Sequence, residues 1–93
     1  MNKDEASKLL DEILLACKDL TEKDSKLILP GLGGIESHGY QLEIKSKAVK
    51  ANLQCIKAIA EKNSLAVADK SQNGLVIIYR PCFIHYSGRS LST

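Results

Sequence analysis

The side chains able to carry chemistry fall into a few short stretches of the 93-residue chain. Glu36, Ser37, His38 and Tyr40 form the first, and a carboxylate close to an imidazole can move a proton. In an extended segment, however, neighbouring residues point to opposite faces, so Ser37 and His38 do not meet as a nucleophile and its base. Glu36, His38 and Tyr40 therefore stand as candidates for a ligand contact or an interface. Cys82 and His85 have the C-x-x-H separation of metal ligands, and three cysteines with two histidines would supply enough donors for zinc. The signal is weak, because residues three apart in a strand face opposite ways and a turn after Pro81 would be needed. Gly31, Gly33 and Gly34 could cradle a phosphate through backbone amides. Such a loop should lead from a strand into a helix with a lysine close behind, and this one joins two expected strands. No motif names a reaction, and no cofactor is expected.

Two further features concern binding rather than catalysis. Asn52 falls in the middle of an apolar helical arc, where its amide must find a partner or cost about 1–3 kcal/mol. Such an asparagine fits a specificity device at a helix or subunit interface, and less readily a ligand contact. Lys47, Lys50, Lys57, Lys70 and Arg80 are the components of any basic patch and the candidates for nucleic-acid contact. Nucleic-acid surfaces usually combine such charges with exposed aromatic rings, of which this chain has few, with three tyrosines and one phenylalanine.

Composition sets the frame. At 44% hydrophobic and 26% charged, the chain reads as one soluble domain over residues 1–86 with a flexible tail over 87–93. With no tryptophan and a single phenylalanine, the core has to be aliphatic. Residues 1–45 carry six lysines against nine acids, and residues 46–93 carry seven basic side chains against two acids, so the halves differ in sign. The polar amino terminus, with no run long enough to span a bilayer, points to the cytoplasm and to no membrane. In that compartment Cys17, Cys55 and Cys82 are expected as free thiols, the first two as small core residues.

The elements that must position these residues follow from periodicity. Asn2 and Glu5 have the spacing of a capping box, and Ala6, Leu9, Leu10, Ile13, Leu14, Cys17 and Leu20 share one helical face, with Leu15 left on the charged side. Residues 26–29 read as a short strand stopped by Pro30. Tyr40, Leu42 and Ile44 alternate with Gln41, Glu43 and Lys45 as a strand with one wet face. A second helix is expected over residues 47–62, capped by Ser46, with an apolar arc of about 220° at 100° per residue. Residues 65–69 and 75–80 read as strands joined through Asn73-Gly74, the strongest short-range hairpin signal. Apolar on both faces, the later of these strands should sit centrally or be covered. Residues 82–86 offer a possible further strand.

The order α-β-β-α-β-β, with a possible last β, predicts an α+β domain in which two helices lie on one face of a four- to five-stranded antiparallel sheet. A chain this small with so wide an apolar arc suggests a shared core, and hence a non-catalytic interaction or regulatory domain acting as a homodimer, with another protein as a possible partner. A nucleic-acid-binding module using the lysines of the second helix is the alternative. A small enzyme or metal protein using His38 and Glu36, or Cys82 and His85, is the third.

Overall fold

A computed structural model describes residues 1–28 and 39–81. The glycine loop apart from Gly39, the residues Glu36 and His38, the pair Cys82 and His85, and the possible fifth strand and tail lie outside the described residues. Within them the fold is α+β, with two α-helices and a four-stranded antiparallel sheet.

Helix α1 spans Lys3–Ala16 and starts as its capping box dictates: the Asn2 side chain accepts from the Glu5 backbone N–H at 2.8 Å, and the Glu5 carboxylate accepts from that of Asn2 at 2.9 Å. Ala6, Leu9 and Ile13 bury its apolar face, whereas Leu15 is 89% exposed on the charged side. Cys17 and Leu20 are also buried, but from a turn: Cys17 is extended and Asp19 is left-handed, at φ 63°, so the helix cannot continue to them.

Strands β1 (Ser25–Ile28), β2 (Gln41–Lys45), β3 (Ala66–Lys70) and β4 (Leu75–Tyr79) stand in the order β1-β2-β4-β3, every pair antiparallel. The two-faced strand is therefore central. Leu42 opposes Ile78, which opposes Val67, and Ile44 opposes Val76. These side chains form one buried cluster with Ile13, Val49, Ile56, Ile59 and Ala60, so both helices serve a single aliphatic core. On the other face Ile77 is only 4% exposed, flanked by Glu43 and Ala68 as its cross-strand partners. The expected wet face of β2 needs correction, because Gln41 is fully buried. It belongs to an interior strand, opposite Ile28 of β1.

The hairpin expected at Asn73-Gly74 is present in modified form. Ser71–Asn73 make a short 3-10 turn and Gly74 follows at φ 70°. A Cβ at Gly74 would come within 2.9 Å of the Ser46 carbonyl oxygen, so both the left-handed backbone and the close approach require glycine.

The second helix is shorter than expected. Helix α2 spans Leu53–Lys62, while residues 47–52 form turns in which the Ser46 hydroxyl accepts from the Ala48 N–H at 3.1 Å. The Asn52 N–H is shared between the Ala48 and Val49 carbonyls, both at 3.1 Å, which marks the irregular entry to the helix. The wide arc consequently breaks into parts: Val49, Ile56, Ile59 and Ala60 are buried, and Ala51 and Ala58 face outward. Among the described residues Leu15 is the one large apolar side chain that is exposed. Surplus apolar surface on this helix therefore gives no reason for association.

The cysteines also depart from expectation. Cys17 and Cys55 form a disulfide across a Cα separation of 6.0 Å, joining the end of α1 to the first turn of α2. The turn after α1 brings the two residues together, and they are not free thiols.

Candidate interaction edge

Asn52 sits at the same joint as the disulfide. Its Nδ2 donates to the Lys18 carbonyl at 2.6 Å and to the Ala48 carbonyl at 2.9 Å, while its Oδ1 accepts from the Lys18 N–H at 3.1 Å. The amide is spent on pinning α1 to α2 within one chain. Its position next to the helix start, rather than inside the helix, is what frees it for this task.

Tyr40 and Arg80, assigned to different roles by sequence, come together beside the start of α1. Met1, Asn2, Glu5, Gly39, Tyr40 and Arg80 line one shallow depression there. The Arg80 guanidinium is 3.4 Å from the Glu5 carboxylate, and Lys3 Nζ lies 5.9 Å from the centre of the Tyr40 ring. Glu5 is held below the usual carboxylate range, chiefly by the Asn2 backbone N–H and secondarily by Arg80. Arg80 is therefore engaged with an acid, as is Lys62 with Glu12, and neither is a spare cation. Lys47 and Lys50 are exposed on the turns before α2, and Lys70 is exposed at the end of β3.

A further concavity lies along the edge of the sheet. Among the described residues no strand pairs with the outer side of β3. Gln54, Lys57, Ala58 and Glu61 of α2 and Leu65 and Val67 on the strand side line a groove of about 460 Å³ beside it. The chain builds this groove as a tight helix-to-strand reversal: the Leu65 N–H donates to the Ala60 carbonyl at 2.8 Å, and Ser64 takes φ 60° to make the turn. Helix and strand then run back along each other, which sets Glu61 near Leu65 and Lys57 near Asp69. Lys57 Nζ is 3.2 Å from the Asp69 carboxylate. The sequence carried no mark of this groove beyond the small, uncharged run Ala66-Val67-Ala68.

Asp69 is the most perturbed acid of the edge. The Ser71 N–H, which donates to Oδ1 at 3.0 Å, and then the Ser71 hydroxyl and Lys57 lower it to about 2. Because the folded value lies below the ordinary one, the stabilising contribution is present above the ordinary carboxylate range and is lost as pH falls toward about 2. Carboxyl NMR should place the Asp69 midpoint near 2, and Lys57→Ala should raise it only partway, since the backbone donor remains. A full return to the ordinary value in that variant would contradict this assignment.

Cys17 and Cys55 are unavailable as metal ligands, and among the described residues no three His, Cys, Asp or Glu side chains gather as a ligand set. Among the described residues no helix is long and apolar enough to cross a membrane. No protein-family model, curated protein or solved structure matches this chain.

Proposed function

We propose that this chain is a small non-catalytic interaction domain that acts as a homodimer. The supporting observation is that, among the described residues, no strand pairs with the outer side of β3: backbone donors and acceptors of such an edge are satisfied by a further strand, and a groove lies beside them. The other sheet edge is better guarded. Strand β1 has four residues, carries the exposed Lys26, and is followed two positions later by Pro30. Strand β3 has no proline, and its first three residues are uncharged.

The nucleic-acid reading has less behind it, since Arg80 is already bound to a carboxylate. A cytoplasmic location belongs to the proposal, and the Cys17–Cys55 bond weighs against it, because a reducing compartment keeps most thiols unpaired. Sedimentation velocity tests the dimer. The expected result is a monomer-dimer equilibrium with a midpoint in the micromolar range, and a folded monomer up to about 100 µM would overturn the proposal.

A further inference from the structure

We propose that the partner at the β3 edge is a second copy of the same strand, running antiparallel, with the two α2 helices side by side across a two-fold axis. This rests on the homodimer reading and specifies its surface. Antiparallel pairing of β3 with itself would extend four strands to eight without leaving either inner edge open.

Charge selects this occupant. Each groove carries Lys57 at one end and Glu61 at the other, on the face of α2 that also presents the small, exposed Ala58. Turned about a two-fold axis near Ala58, Lys57 of one copy meets Glu61 of the other, and the reverse contact forms by symmetry. Asp69 and Lys70 lie at one end of β3, so the antiparallel copy sets them against Leu65 and Ala66 instead of against like charges. A peptide of a single sign would meet one favourable and one unfavourable end. The small, exposed Ala58 leaves room for close approach of the two helices.

Charge reversal separates this surface from any other. Glu61→Lys gives a protomer with two cations on the helix face and leaves the Lys57–Asp69 pair in place, whereas Lys57→Glu gives one with two carboxylates there and also breaks its pair with Asp69, so the recovery in the mixture, and not the loss in Lys57→Glu alone, decides the surface. Each variant alone should dimerise about tenfold or more weakly than the parent, because both symmetric contacts become repulsive. Mixed in equal amounts they should recover association as a heterodimer, detectable by native mass spectrometry, with the effect fading at high salt. Both positions are solvent-facing, and circular dichroism verifies that the variants remain folded. A parent dimer that neither variant weakens, or a mixture with no preference for the heterodimer, would overturn the β3 surface while leaving the homodimer standing. A parent that never dimerises would overturn both.

Discussion

Reducing the Cys17–Cys55 bond is expected to lower the unfolding free energy by about 3–4 kcal/mol, since it releases a loop with a sequence separation of 38. The bond ties the end of α1 to the beginning of α2, and the β1-β2 part of the chain lies between its ends. Without it the unfolded chain regains the freedom of that whole segment. The folded joint keeps the Asn52 bridge to both backbone groups of Lys18, so the reduced protein should retain its fold at a lower denaturation midpoint. Urea unfolding with and without a reductant measures the difference, and Cys55→Ser should reproduce it. Superimposable curves would mean that the bond contributes nothing to stability.

Ile56→Ala should cost a similar amount, about 2–5 kcal/mol. Ile56 has no exposed surface and lies in the same cluster as Ile13, Val49, Ile44 and Ile78, so truncation opens a cavity between both helices and the central strands. A small domain has only about 5–15 kcal/mol in total, which makes this loss visible in any unfolding measurement. Leu15→Ala, at a position 89% exposed, should change stability by less than about 0.5 kcal/mol. Equal effects at the two positions would contradict the placement of the core.

The features legible in the sequence were those with a local cause. The Asn2–Glu5 box, the outward Leu15, the alternation of Leu42 and Ile44, and the reversal at Gly74 each follow from a few adjacent residues. The start of α2 was not legible. Alanine-rich periodicity runs on through residues 47–52, while the hydrogen bonds that break it there include a partner in Lys18, 34 positions away. The disulfide escaped for a related reason, since two cysteines on separate apolar faces give no sign of meeting until α1 ends and turns at Asp19.

The groove beside β3 was hidden at a further remove. Lys57 read as a component of a basic patch and Asp69 as a strand end, and only the helix-to-strand reversal puts them 3.2 Å apart. The two apolar faces of β4 marked it as a central strand, but that β3 is the strand flanking it at the edge depends on sheet order, which no hydrophobic pattern encodes. The sequence argument for association relied on an apolar arc that the fold largely buries, and the case for a dimer now rests on backbone edges and paired charges.

Amide hydrogen exchange over residues 66–70 and 25–28, followed from low to high protein concentration, tests that case most directly. Pairing of β3 with its copy predicts that the outward amides of β3 exchange progressively more slowly as concentration rises, while those of β1 keep a constant rate. Constant rates along β3 at every concentration, or slowing confined to β1, would contradict it.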